Sequence, residues 1–205
     1  MAFDLPATAA RYRIRVSRTF AVFAIAILLL TGHSWPYRSA IDLACAALGF
    51  VLITVCTLGR LWSLAFISGR KDAMLVQDGP YSCTRNPLYV FSLVGAIGLG
   101  LASRNVAVFA IILLFFFLYY PAVIMHEERF LGERHGGAFH DYVRRVPRFL
   151  PKWSLYHEPE SYTVQVRTYR RTFLDAMWFL WGFLVLEAIE RFKELGLIQV
   201  QFTLP

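Results

Sequence analysis

The sequence predicts an all-α integral membrane protein of about five transmembrane helices, with a cytoplasmic segment folded over the hairpin of the third and fourth. Three observations lead there. Hydrophobic residues make up 57% of the 205 and charged residues only 17%, with a mean hydropathy of +0.49. A soluble domain carries roughly 25% charged residues, so this chain has too little polar surface to cover a water-soluble globule. The apolar residues fall in five long runs, with none of the alternation that marks strands. The basic residues fall in the gaps between the runs, and mostly in alternate gaps.

The first run, residues 19–35, follows Arg11, Arg13, Arg15 and Arg18 and has the shortest strictly apolar part. Gly32-His33-Ser34 loosely resembles the cut site of a secretory leader, but the later runs favour a retained first helix. The second run covers 40–58. The third, 87–102, opens at Pro87. The fourth, 106–125, contains Ile111-Ile112-Leu113-Leu114-Phe115-Phe116-Phe117-Leu118 and is the most apolar, and the fifth covers 173–189. About 20 apolar residues cross the hydrocarbon core, fewer where the ends snorkel. Trp35, Tyr37, Tyr119, Tyr120, Trp153 and Trp178 suit the interfaces. The whole of 1–205 reads as one domain.

Only Arg38, Arg104, Arg191 and Lys193 of the 21 basic residues fall on one side of this layout. The positive-inside rule then places the N-terminus in the cytoplasm and the C-terminus on the outer side. Residues 59–86 and 126–172 share the cytoplasmic face. The second of these is too long for a plain connector and is expected to fold over the membrane surface. Ser103-Arg104-Asn105 is so short a loop that the third and fourth spans form a tight hairpin, which brings Asn86 and His126 together at its other end.

Several function classes are excluded. The net charge of +7 is spread between apolar runs instead of clustered on a soluble module, so nucleic-acid binding is not expected. Cys45, Cys56 and Cys83 show no CxxC spacing, and His135 and His140 lack ligand spacing, so neither a disulfide framework nor a metal site is indicated. There is no internal repeat. The sequence does not specify an oligomeric state.

Two polar clusters mark the hairpin's ends. The first is Gly79-Pro80-Tyr81-Ser82-Cys83-Thr84-Arg85-Asn86-Pro87-Leu88-Tyr89. Gly-Pro makes a turn, Pro87 suits the first turn of a helix, and a helix start offers free N–H groups to an anionic group. Local physics alone favours an interfacial helix start with a tyrosine belt. The second cluster is His126-Glu127-Glu128-Arg129-Phe130-Leu131. Paired carboxylates at the end of a membrane helix are costly and suggest a role. A solvated helix end partnered by Arg129 explains them equally well.

Together the two clusters are more specific. Gly-Pro-Tyr-x-x-x-Arg-Asn-Pro-x-Tyr opening a helix, then a hairpin, then Glu-Glu-x-x-Leu, resembles the isoprenylcysteine carboxyl methyltransferase family and the related phospholipid N-methyltransferases. The similarity continues through His135-Gly136-Gly137-Ala138-Phe139-His140-Asp141-Tyr142 and Val146-Pro147-Arg148-Phe149-Leu150-Pro151, and covers residues 75–151. It implies S-adenosylmethionine as cofactor. Leu75, Val76, Tyr81, Arg85, Asn86, Pro87, Leu88, Tyr89 and Glu127 are then the residues expected to bind it. Gly98-Leu99-Gly100 matches a Gly-x-Gly of the phospholipid enzymes, although such glycines also serve helix packing. Val123 stands where isoprenylcysteine enzymes carry an arginine for the substrate carboxylate, and Ala73 stands where the family carries a histidine. These departures bear on the acceptor more than on the cofactor.

The reaction this implies is an in-line methyl transfer to a lipophilic acceptor that enters from the bilayer, with the protein supplying alignment and a dry site. An amine or thiol acceptor needs a base, for which His126, Glu128 and Tyr89 are the candidates. The other readings are a phospholipid (ethanolamine headgroup) N-methyltransferase, an NADPH-dependent reductase of the sterol-reductase type, and a non-catalytic membrane protein.

Overall fold

The computed structural model describes residues 5–70 and 74–202. Helices α1 (Leu5–Leu30) and α2 (Ala40–Ile67) are followed by the one-turn α3 (Pro80–Cys83), then α4 (Pro87–Ala102) and α5 (Val106–His135). After these come α6 (Gly137–Arg145), a 3-10 turn (Trp153–Leu155) and α7 (Val166–Glu194). Among the described residues the only β-type pairing is one bridge, Thr31 to Phe202. Helices α2, α5 and α7 are long and apolar enough to cross a membrane. Leu43, Leu58, Leu114, Phe117, Leu118, Trp178 and Trp181 lie exposed on them, a surface that hydrocarbon solvates and water does not. The chain is an all-α, multi-pass integral membrane protein.

Helix α4 matches residues 87–102, but the other helices differ in extent. Helix α5 runs ten residues past 125, because Glu127, Glu128, Arg129 and Leu131 are good helix formers. It stops at Gly136, whose φ of +53° suits a C-terminal cap. Helix α2 likewise continues to Ile67. Helix α1 ends at Leu30, five residues short of Trp35. There the Thr31 hydroxyl turns back to the Ile27 carbonyl (2.9 Å), and the Gly32 N–H donates to the Phe202 carbonyl (2.9 Å).

The short α4 is the hub, packed against α2, α5 and α7, while α1 lies on α5 and α7 on α2. Close approach needs small residues. A Cβ on Gly98 would stand 2.9 Å from the Gly49 carbonyl, and one on Gly49 the same distance from the Gly98 carbonyl.

The end of the bundle away from the polar clusters is closed by a core of Leu28, Ala102, Val108, Leu186 and Ile189, topped by a buried charge network. Arg104 pairs with Asp42 (2.7 Å) and Glu187 (2.8 Å), Lys193 with Glu190 (2.8 Å), and His33 with Glu190. Asn105 donates to the Gly32 carbonyl at 2.9 Å. Two of the four basic residues that the charge pattern placed at this end are thus structural ties, not solvated flank charges.

Candidate active site

The site begins with a turn that only glycine can make. Gly79 has φ +57°, and a Cβ there would lie 2.5 Å from the Phe66 ring of α2. Pro80 then starts the single turn α3, which buries Tyr81, Ser82 and Cys83. Thr84 is extended, and Asn86-Pro87 opens α4 with Pro87 at the first helical position.

Residues 142–157 lie across this turn as a strap, joined to it by backbone and side-chain hydrogen bonds. The Gly79 N–H donates to the His157 carbonyl (2.8 Å), Arg85 N–H to Pro147 (2.9 Å), and Lys152 N–H to Cys83 (3.0 Å). The Thr84 hydroxyl donates to the carbonyls of Arg148 (3.1 Å) and Phe149 (3.2 Å). The buried Tyr142 hydroxyl donates to the Tyr81 carbonyl at 2.7 Å. Beneath the strap Phe139, Tyr142 and Val146 form a small core with Leu75, Leu131 and Leu155. Backbone polar groups that would otherwise be orphaned are therefore paired.

Glu128 is the centre of this assembly. Its Oε1 accepts from Asn86 Nδ2 at 2.9 Å and lies 3.5 Å from Arg85 Nη1. Its Oε2 accepts from Arg148 Nε at 3.0 Å and from Arg148 Nη2. Asn86 Nδ2 also donates to the Arg148 carbonyl at 3.2 Å. One carboxylate thus joins the start of α4, the end of α5 and the strap. Burial alone would raise its pKa. The hydrogen bonds from Arg148 and Asn86 and the charge of Arg85 outweigh that and hold the carboxyl below its ordinary value. The hairpin does bring the two polar clusters together, as their spacing predicted.

The phospholipid methyltransferase family model matches residues 37–137, which run from before α2 through the glutamate pair. The cobalt-zinc-cadmium resistance protein CzcN of Cupriavidus metallidurans is 41% identical, over 95% of this chain and 89% of its own length. The nickel-cobalt-cadmium resistance protein NccN of Alcaligenes xylosoxydans xylosoxydans is 42% identical, over 88% and 84%. A protein-S-isoprenylcysteine O-methyltransferase of Schizosaccharomyces pombe is 28% identical, over 52% and 48%. This chain belongs to the phospholipid methyltransferase family. No solved structure matches it.

Within this methyltransferase-family fold, the other expected site residues divide into two groups. Tyr81 is buried, and its hydroxyl finds no hydrogen-bond partner among the described residues. Burial, then the neighbouring Tyr142 and Glu127, pushes its pKa well up, so it stays protonated. Tyr89 is buried with Val123 and Ile124, its ring 5.7 Å from that of Tyr120. Val123 is thus a fully buried core residue. Leu75 belongs to the core under the strap, while Val76, Leu88 and Glu127 are half-buried around the same turn. His126 sits at the polar end of α5, its Nδ1 3.4 Å from Arg129 Nη2. Ala73 lies outside the described residues.

Gly98 and Gly100 belong to the second group and are not part of this cluster. Gly98 lies 11 residues beyond Pro87, about 16 Å along the axis, against Gly49. A Cβ on Gly100 would lie 2.1 Å from the Phe109 ring. Both stand at close contacts between helices, where small residues allow the approach. The residues missed are Arg148 and Tyr142, which lie inside the quoted tail motifs but whose partners are 20 and 61 positions away.

Proposed function

We propose that this chain transfers a methyl group from S-adenosylmethionine to a lipophilic acceptor at the strapped end of its bundle, in the manner of an isoprenylcysteine carboxyl methyltransferase. The observation that carries the reading is the meeting of Asn86 and Glu128 at 2.9 Å, 42 residues apart, at the turn that also buries a Tyr81 hydroxyl with no hydrogen-bond partner among the described residues. An unpaired buried hydroxyl is costly, and a zwitterionic ligand offers it both donors and acceptors. The residues fit the cofactor in that sense.

When bound, S-adenosylmethionine supplies a methyl on a sulfonium, which is a good leaving group. Glu127 is the residue we assign to the cofactor's positive charge. The Tyr81 hydroxyl and Tyr89 line its polar side, and Leu75, Val76 and Leu88 its apolar one. Glu128 acts through Asn86, Arg85 and Arg148 as a positioning residue. A carboxylate held below its ordinary pKa by two arginines is a poor base, so any proton taken from the acceptor falls to His126. The strap excludes water from above while the bilayer gives the acceptor a lateral entrance.

The same reading places five spans in the membrane, counting α1 and α4, with the strap and the N-terminus in the cytoplasm. An ethanolamine headgroup is the second acceptor class, favoured by the description of the matching family model. Membership of a methyltransferase family favours both over the reductase reading. The metal-resistance names of CzcN and NccN are compatible with methylation of a membrane component. Incubating membranes with methyl-labelled S-adenosylmethionine, with and without the protein, tests the proposal. Label in a lipid-soluble product that depends on Glu127 is expected, and its absence at full expression would refute it.

A further inference from the structure

Residues 149–153 form an exposed apolar stretch in the middle of the strap. Leu150 is 84% exposed, Trp153 64% and Phe149 42%, although their backbone is firmly placed. The Lys152 N–H donates to the Cys83 carbonyl at 3.0 Å, and the Phe149 carbonyl accepts from the Thr84 hydroxyl at 3.2 Å. The exposure is therefore built into the fold. The same ties fix the height of the stretch. Cys83 and Thr84 stand just before Pro87, where α4 begins. On the other side the Tyr156 ring stands 6.0 Å from that of Trp62 on α2. Trp62 lies one helical turn, about 6 Å, beyond Leu58, which is exposed on this membrane-crossing helix. The stretch thus lies level with the end of the hydrocarbon-facing surface, in the layer where Trp, Tyr, Lys and Arg meet headgroups.

Charge indicates the partner. Residues 142–157 carry Arg144, Arg145, Arg148 and Lys152 and no Asp or Glu. Arg148 is engaged by Glu128, and Arg145 donates to Gln77 at 2.8 Å, while Arg144 and Lys152 are exposed. The carboxylates flanking the strap are Asp141 and Glu158, and the latter accepts from the Tyr156 hydroxyl. Leu150 and Trp153 side by side are costly in water. Apolar and aromatic side chains next to exposed cations fit a layer of anionic headgroups over acyl chains.

We propose that residues 149–153 are a foot by which the strap inserts into the headgroup layer of the bilayer, with anionic phospholipid as its partner. Phe149, Leu150 and Trp153 enter the acyl boundary, and Arg144 and Lys152 meet phosphates. The cover of the Asn86–Glu128 site is thereby attached to the membrane surface through Thr84 and Lys152, at a point outside the transmembrane helices. The inference goes beyond the methyl-transfer reading and does not depend on it.

A nitroxide on Leu150→Cys reports the surroundings of the foot in lipid nanodiscs, and one on Ala138→Cys, exposed on α6, is the solvent control. Leu150 is so exposed that its replacement leaves the core intact. Signal from the chain's own three cysteines is subtracted with the unsubstituted protein. Power saturation compares collisions with dissolved oxygen, which concentrates among acyl chains, against those with a water-soluble nickel chelate. In phosphatidylglycerol nanodiscs oxygen should dominate at position 150 and the chelate at position 138. In phosphatidylcholine the inserted share at position 150 should fall. Lys152→Gln should lower the inserted-to-free ratio of the label about 5-fold in phosphatidylglycerol, the effect of one cation near an anionic surface. In phosphatidylcholine the same variant should leave it within about 2-fold. Chelate dominance at position 150 in both bilayers would overturn the proposal and leave the stretch to a water-borne partner. Insertion indifferent to both lipid charge and Lys152→Gln would overturn the assignment of an anionic partner.

Discussion

Removing the Glu128 carboxylate should loosen the strap and lower stability by an amount the geometry sets. Asn86 is buried and the Glu128 side chain is only 11% exposed, so their 2.9 Å hydrogen bond to an ionised group contributes about 1.5–3 kcal/mol. The Arg148 side chain is 41% exposed, so its pair with Glu128 is screened and adds roughly 0.5–1 kcal/mol. Glu128→Ala should therefore cost about 3 kcal/mol. Glu128→Gln keeps an acceptor for Asn86 and should cost about 1 kcal/mol. Reversible unfolding in detergent micelles measures both, and double-mutant cycles apportion them. The coupling of Glu128 to Asn86 should exceed that to Arg148. The pH dependence has a definite sign. The folded pKa lies below the ordinary value, so the contribution is complete above about pH 4.3 and is lost as pH falls through the depressed folded value. Acid should therefore destabilise the wild type more than Glu128→Gln in that window. A Glu128–Asn86 coupling indistinguishable from zero would refute the clamp.

Three further outcomes follow from named contacts. Gly98→Ala puts a Cβ 2.9 Å from the Gly49 carbonyl and should destabilise by about 1–3 kcal/mol, with S-adenosylmethionine affinity unchanged in calorimetry; a selective loss of affinity would return Gly98 to the cofactor site. Lys193→Ala leaves Glu190 with His33 as its remaining ionisable partner and should cost about 3–5 kcal/mol in thermal unfolding, whereas no change would show the far-end network to be idle. Tyr81→Phe removes a hydroxyl that has no partner among the described residues, so stability should hold or rise while S-adenosylmethionine binds about 10-fold more weakly; unchanged binding would exclude the hydroxyl from the site.

The hairpin and its two ends were legible because each rests on local signals. Pro87 marks a helix start, the apolar run marks the span, and Ser103-Arg104-Asn105 is too short for any other path. The reach of α5 to His135 was not legible, because hydropathy falls at residue 126 while helix propensity does not. The far-end network was also hidden. Its members His33, Asp42, Arg104, Glu190 and Lys193 come from four segments, and no periodicity announces that distant charges will pair. Glu128 read as a candidate base beside a cofactor-binding Glu127, and only the fold of 142–157 shows Arg148 and Asn86 converging on it. Gly98 and Gly100 match a short motif and also stand at close helix contacts, two readings that a motif alone does not separate.

Calorimetric titration of the nanodisc-embedded protein with S-adenosylmethionine bears most directly on the methyl-transfer reading. Saturable binding at one molecule per chain is expected, weakened by at least about 30-fold in Glu127→Ala and Tyr89→Ala, with the far-ultraviolet circular dichroism of both variants unchanged. Folded wild-type protein that releases no heat at millimolar cofactor, or variants that bind as the wild type does, would contradict it.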